Sequence, residues 1–333
     1  MGPRQKERRE RTMESLTGKE VYSQPDAIDR QKGKGIKKLK PYLPLYLLFL
    51  PVLIYYLLFS YAPMAGLVIA FKNYNFLDGI FHSEWVGLSH FRRFLQNGDF
   101  WLVFKNTVLL AGFRLAVVFP APIIFAVLLN EMRFSRVKRI IQTISYLPHF
   151  LSWVVVYAIC YNFLSDSGLV NSILAYFGME KIAFLGEPSL FRPIFVGSSV
   201  WKELGWNAII YLAALTRIDT DLYEAASIDG ANRLRRIWHV TLPGIRTIVS
   251  IMLLMALGDI LSVSFEQVTI MMNPMVSSVA EVIDYYVYRV GLLGANNFSY
   301  ATAVGFFRSI IALTVVIIAN VLAKKIDEDG GIW

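Results

Sequence analysis

The sequence predicts an all-α membrane protein with six transmembrane helices, and three observations carry that prediction. Hydrophobic residues make up 55% of the 333 positions and charged residues only 17%, and the mean hydropathy is +0.47, a balance too apolar for an ordinary soluble domain. Six apolar runs each approach the roughly 20 residues that ~30 Å of hydrocarbon demands of a helix. The loops between them alternate between basic and poorly basic, which fixes an orientation.

Residues 1–40 carry twelve Lys or Arg, six acids and few apolar side chains. They read as a largely disordered cytoplasmic tail whose basic end meets anionic headgroups. The tail has no apolar core of a signal peptide, so nothing in it argues for cleavage. Thr17-Gly18-Lys19 faintly resembles a phosphate loop, but Glu20 stands where Ser or Thr is needed and Met13 where the first glycine belongs. ATP binding by this chain is therefore not expected, and without a folded module beside it the basic run is a poor nucleic-acid site.

The spans are expected near Leu43 to Ala65, Leu102 to Leu129, Ile140 to Phe163, Pro193 to Leu215, Ile245 to Phe265 and Ala301 to Ala323, within a membrane domain over 41–325. The basic segments are the N-terminal tail, Arg133 to Arg139, Arg217 to Arg246 and Lys324-Lys325. That alternation puts both termini, including a short tail over 326–333, on the cytoplasmic side. Pro120, Pro122 and Pro148 interrupt spans two and three, which favours packing inside a bundle or beside a wet path, where freed backbone groups find partners.

Between spans four and five the stretch 217–244 is polar yet tightly patterned. Asp219, Thr220 and Asp221 supply an N-cap and early negative charge, Leu222 to Ile228 favour a helix, and Gly230 offers the left-handed position that ends one. A helical pattern resumes over Asn232 to Val240 until Leu242-Pro243 interrupts it. Two short helices meeting at a glycine elbow, with Tyr223, Ala226, Ile228 and Leu234 as apolar knobs, would suit a groove in a partner protein. An amphipathic helix lying on lipid is the other reading.

Ionisable groups at membrane depth are costly unless paired or wetted, so Arg114, Lys202, Glu203, Asp259 and Arg308 are candidate functional residues. Asp259 and Arg308 fall at comparable depth in adjacent spans and are expected to pair. Trp201, Trp206, Asn207, Tyr211, Phe265, Gln267 and Tyr300 combine aromatic faces with amide and hydroxyl groups, which could line a path for a polar solute. Interhelical packing is the competing role for each of them. Tyr285, Tyr286 and Tyr288 mark an outer amphipathic segment, Val279 to Leu293, suited to contact with another protein or to the aromatic belt of the interface. The single Cys160 excludes an internal disulfide. His82, His90, His149 and His239 are scattered, no His-Glu-x-x-His motif occurs, and no catalytic or metal constellation emerges.

Glu224-Ala225-Ala226, then Gly230 four residues after Ala226, then Leu242-Pro243 twelve residues after the glycine, resembles the EAA loop of the membrane subunits of binding-protein-dependent ABC importers. Val240 stands where that pattern has isoleucine. Trp85-Val86-Gly87-Leu88, Trp201 with Gly205-Trp206 and Ile210-Tyr211-Leu212, and Phe298 to Ala303 are similar to the sugar-permease branch, above all to permeases for oligosaccharide or polysaccharide fragments. The likeness covers roughly 41–325.

The resemblance implies a non-catalytic permease subunit in a bacterial inner membrane, and it makes the path that Trp201, Trp206, Asn207, Tyr211, Phe265, Gln267 and Tyr300 could line a sugar path. It implies as partners a second permease, generally a different chain, two ATPase subunits that hold ATP and Mg, and an extracytoplasmic solute-binding protein. It makes the helix before Gly230 a coupling helix, with Glu224, Ala225, Ala226, Asp229, Gly230, Leu242 and Pro243 as the residues facing or shaping the ATPase contact. An importer permease for a non-sugar solute, an ion-coupled secondary transporter and a membrane scaffold without transport are the alternatives. The secondary transporter would call for internal repeats, and no convincing repeat relates the two halves.

Overall fold

The computed structural model describes residues 42–262, 265–294 and 297–326. The expected tails, over 1–40 and 326–333, lie outside the described residues except for Ile326, as does the phosphate-loop-like Thr17-Gly18-Lys19. The chain divides into two units, Met1–Pro63 and Met64–Trp333. In the first, helix α1 spans Leu43–Tyr56 and runs into a wide turn over Leu57–Tyr61, with no buried residue in either.

The second unit is helical apart from a two-residue ladder. Lys72 pairs with Trp85 and Asn73 with Glu84, antiparallel, a small exception to the all-α expectation. The helices are α2 (Ser89–Gln96), α3 (Gly98–Phe113), α4 (Pro120–Asn130), α5 (Ser135–Tyr146), α6 (Trp153–Leu164), α7 (Leu169–Tyr176) and α8 (Pro188–Leu215). There follow α9 (Thr220–Ile228), α10 (Arg233–Arg236), α11 (Arg246–Gly258), α12 (Phe265–Met271), α13 (Ile283–Tyr288) and α14 (Phe298–Ile326).

Proline placement explains three places where the helical winding widens. Of four wide π turns among the described residues, those over Leu57–Tyr61, Arg114–Val118 and Ile237–Thr241 each end two residues before a proline, Pro63, Pro120 or Pro243, while Arg289–Leu293 has no proline after it. A proline ring collides with the carbonyl four residues earlier, and widening the turn that holds that carbonyl relieves the clash. Pro120 therefore does not end its span, and Gly98–Asn130 stays one apolar helical stretch of 33 residues.

Pro148 acts differently. The span expected over Ile140 to Phe163 is not continuous: a tight turn over Leu147–Phe150 and extended backbone at Leu151 separate α5 from α6, and the apolar crossing segment is Trp153–Tyr176. The span expected over Ile245 to Phe265 also ends early, because α11 stops at Gly258 and Asp259 is its C-cap. Among the described residues four helical stretches are long and apolar enough to cross a membrane. A fifth is Arg233–Gly244 with Arg246–Gly258, bent by 63°. Helix α8, at 28 residues, has the length, but Arg192, Lys202 and Glu203 lower its apolar character.

Three buried clusters hold the unit together. Leu110, Val118, Phe195, Val268 and Met271 join α3, α8 and α12. Phe94, Phe100, Ile283, Tyr286, Tyr300 and Val304 join α2, α3, α13 and α14. Ala126, Ala208, Tyr211, Leu215 and Ile245 join α4 and α8 to the start of α11. Ala126 and Ala208 keep no exposed surface, and small residues of this kind let α4 and α8 pack closely.

Candidate functional site

The elbow between α9 and α10 is built as its sequence pattern predicts. Asp219 caps α9 by accepting from the Asp221 amide, and Asn232 caps α10 by accepting from the Arg235 amide. Gly230 takes φ +75°. The Ala231 amide bonds to the Ala226 carbonyl and the Gly230 amide to the Ser227 carbonyl, the paired closure that ends a helix at a left-handed residue.

Two side-chain ties stiffen the elbow. The Tyr223 hydroxyl hydrogen-bonds the fully buried Thr241 at 3.1 Å, and Arg236 Nη1 donates to Ser227 Oγ at 3.1 Å. Tyr223 is thus half-buried inside the elbow and not one of its free knobs. Ile228, Leu234 and Trp238 are exposed, as are Glu224, Ala225, Asp229 and Pro243, whereas Ala226 and Leu242 are half-buried. Exposed apolar side chains set among charged ones form a surface suited to a protein groove.

Helix α8 leads into the elbow and presents two polar stripes. Glu203, Asn207 and Tyr211, at i, i+4 and i+8, line a cavity of about 440 Å³. Opposite them stand Arg114 from the wide turn after α3, and Asp259 and Ser262 from the end of α11. Arg114 Nη2 meets Glu203 Oε2 at 3.5 Å, so the two candidate charges form an ion pair at the cavity. Amide, hydroxyl and charged groups set among Leu115, Val118 and Met255 match the mixed surface a sugar ring requires.

The second stripe, Lys202, Gly205 and Trp206, grips the break at Pro148. Lys202 Nζ donates to the carbonyls of His149 at 2.7 Å and Leu151 at 2.5 Å, with Pro148 at 3.5 Å. Trp206 lies flat on His149, with ring centroids 4.4 Å apart. Trp206 is therefore committed to that stack, and Trp201 is exposed on the same helix.

The remaining candidate path residues do not gather at this cavity. Gln267 is fully buried; its amide donates to the Phe195 carbonyl and Ser198 Oγ, and its carbonyl accepts from Ser199. Tyr300 is buried against Tyr286, hydroxyl to hydroxyl at 3.1 Å. Both are packed against neighbouring side chains in this structure, and neither lines the cavity beside Glu203. Phe265 packs edge-on to Tyr288 and lines a separate, open groove of about 600 Å³.

The expected Asp259–Arg308 pair is corrected. Arg308 Nη1 meets Asp284 Oδ1 at 2.5 Å and Nη2 bonds to Ser262 Oγ, while Asp259 lines the cavity. The depth estimate assumed a continuous fifth span, but α11 ends before Asp259 and the outer helix α13 folds back against α14. Burial pushes the Asp284 carboxyl up, and Arg308 pulls it part of the way back. Burial and the Tyr300 hydroxyl likewise push the Tyr286 phenol up. Asp284 carried a signal that sequence reasoning passed over, as the one charge in the apolar and aromatic run Val282 to Tyr288.

Residues 118–328 match the family described as binding-protein-dependent transport system inner membrane component. The chain is 48% identical over 287 residues to the polygalacturonan/rhamnogalacturonan transport system permease protein YteP of Bacillus subtilis (strain 168), covering 86% of this chain and 89% of that one. It is 46% identical over 314 residues to protein LplB of the same organism, covering 93% and 98%. Its fold is similar to a chain in the crystal structure of a bacterial ABC transporter involved in the import of the acidic polysaccharide alginate. That match has a TM-score of 0.82 and 40% identity, over 88% of this chain and 99% of that one. A chain of the bacterial alginate ABC transporter in complex with alginate pentasaccharide-bound periplasmic protein matches with a TM-score of 0.81 at 40% identity, covering 87% and 97%.

Proposed function

The chain belongs to the binding-protein-dependent transport system inner membrane components, multi-pass permease subunits of bacterial ABC importers, and from that premise we propose that it forms one half of the path for a carbohydrate. The substrate class is an oligosaccharide or polysaccharide fragment, in keeping with relatives named for polygalacturonan, rhamnogalacturonan and alginate. Six spans cross the membrane within residues 41–325, both termini lie inside, and the tails over 1–40 and 326–333 are cytoplasmic. A second permease completes the path, an extracytoplasmic binding protein delivers the solute, and two ATPase subunits hold ATP and Mg, so this chain binds no cofactor of its own.

The single observation that carries this reading is the stripe Glu203, Asn207 and Tyr211, because the helix that lines the cavity runs directly into the elbow. In the proposed cycle the ATPase takes α9 in a groove, with Glu224 in polar contact, Ala225 and Ala226 allowing close approach, and Asp229, Gly230, Leu242 and Pro243 shaping the elbow. Closure of the ATPase pair moves the elbow, and α8 carries the movement to the cavity. A second reading concerns the charge of the sugar surface that meets this chain. The cavity lining carries Glu203 and Asp259 against Arg114, a surplus of negative charge that favours neutral, hydroxyl-bearing faces here and leaves any sugar carboxylates to the second permease.

The test is purification of the transporter through a tag on this chain. Its ATP hydrolysis is then measured with the binding protein loaded with galacturonate or alginate oligosaccharides. Recovery of an ATPase and a second permease with stimulated hydrolysis is the expected result. Solute uptake that survives ATP depletion would overturn it.

A further inference from the structure

The break in the third expected span leaves carbonyls that a continuous helix would have served. The Val155 amide, the helical donor for Leu151, is taken instead by Ser152 Oγ, so the Leu151 carbonyl has no helix donor. Lys202 fills this gap from the neighbouring helix. Its ammonium has three donors and faces three carbonyls of the break, and it stands 5.6 Å from the Trp153 ring. The side chain is 9% exposed. A buried cation placed so is one that carbonyl dipoles have replaced water around.

Two neighbours of Lys202 on α8 tighten the same contact. A Cβ on Gly205 would sit 2.2 Å from the Ser145 carbonyl oxygen, so α5 and α8 touch backbone to backbone. Trp206 covers His149. Positions 202, 205 and 206 share one helical face, while Glu203 and Asn207 face the cavity from the adjoining one. The inner half of the broken span is thereby bonded to the helix that connects cavity and elbow.

We propose that Lys202 is a positioning residue for transport, the pin that makes α5, the break over Leu147–Leu151 and α8 move as one body when the elbow moves. The pin keeps the cavity stripe in step with the elbow. Without it α5 and α8 slide on each other and elbow movement no longer reaches Glu203 and Asn207. The inference rests on the permease reading given above.

The test uses the whole transporter in lipid nanodiscs, with Lys202→Met and Lys202→Arg in this chain. The Met variant is expected to assemble and hydrolyse ATP at the basal rate but to lose the stimulation produced by binding protein loaded with galacturonate or alginate oligosaccharides. The Arg variant regains part of it, because a guanidinium also donates to several carbonyls, a rescue that mere bulk would not give. A Met variant stimulated like the parent overturns the proposal.

A second measurement decides the matter if the Met variant does not assemble or the parent itself shows no stimulation. Spin labels at the exposed Ile144 and Ile210, introduced as cysteines in a Cys160→Ser background, report the α5–α8 separation. One unchanged distance in nucleotide-free and ATP–vanadate-trapped transporter is expected. A shift on trapping overturns the rigid body. A parent whose ATP hydrolysis the loaded binding protein does not stimulate speaks against the permease reading, whereas a stimulated parent with an equally stimulated Met variant speaks against Lys202 alone.

Discussion

Arg308 Nη1 lies 2.5 Å from Asp284 Oδ1, a contact that ties the last long helix to the short outer helix α13 across 24 residues of chain. Both side chains keep only modest exposure, 23% and 15%, and Arg308 Nε is buried with no hydrogen-bond partner among the described residues. The pair therefore sits where removing one member strands the other.

Arg308→Met is expected to lower stability by roughly 2–3 kcal/mol, less than the ~3–5 kcal/mol of a fully buried pair because some water reaches both groups. Asp284→Asn strands the Arg308 guanidinium, which cannot shed its proton, and should cost a comparable amount, whereas the double change strands neither charge and should cost less than either single change. Asp259→Asn should not rescue Arg308→Met. Thermal unfolding in detergent checks all of these.

The same pair sets a pH dependence. Burial raises the Asp284 carboxyl, so its contribution is fully present below the unfolded value of about 3.9 and is lost as pH rises through the folded value. Removing Arg308 removes the influence that lowers it and moves the folded value further up. The deficit of Arg308→Met relative to the parent should shrink as pH falls from neutral into the acidic range, while Asp284→Asn should flatten the profile. Melting temperatures across that range provide the test.

Gly230→Val should leave the protein inserted and lose transport. No atom lies within 4 Å of a Cβ built there, so the cost is the left-handed backbone alone, about 1–2 kcal/mol for a residue with a Cβ. Gly230→Asn, which tolerates that region, should retain most activity. Uptake measured beside membrane abundance separates the two variants.

Gly205→Ala should damage assembly more than its one added methyl suggests. The new carbon meets main-chain atoms of Ser145, which cannot swing aside, so a cost of at least ~1–3 kcal/mol typical of overpacking is expected. Ser145→Gly should give little relief, because the nearest obstacle is the carbonyl. Yield and melting temperature of the purified chain report the effect.

Asn207→Leu removes an amide from the cavity while keeping the helix. If one sugar hydrogen bond is lost, worth roughly 1.4 kcal/mol, solute-stimulated ATP hydrolysis should need about tenfold more loaded binding protein. Gln267→Leu should act oppositely, lowering stability with transport by the surviving protein unchanged, because its amide serves Phe195, Ser198 and Ser199.

The elbow was the most legible part of the chain. Its caps at Asp219 and Asn232 and its turn at Gly230 are local events set by residues within a few positions of one another, and such events follow from side-chain chemistry. The apolar runs were legible too, although their ends were not. Pro148 broke the third expected span whereas Pro120 left the second continuous, and α11 stopped at Gly258 within a run that reads as continuous.

By itself the sequence determined the helical membrane class and the elbow, because apolar length and capping chemistry act over short stretches. Tertiary structure alone decided the partners. Arg308 took Asp284 and not Asp259, Lys202 took the carbonyls of a neighbouring break, and Gln267 and Tyr300 packed against neighbouring side chains while Asn207 and Tyr211 met the cavity. Each of those outcomes depends on how far a helix runs before it stops, and one turn more or less brings a different polar group within hydrogen-bond reach.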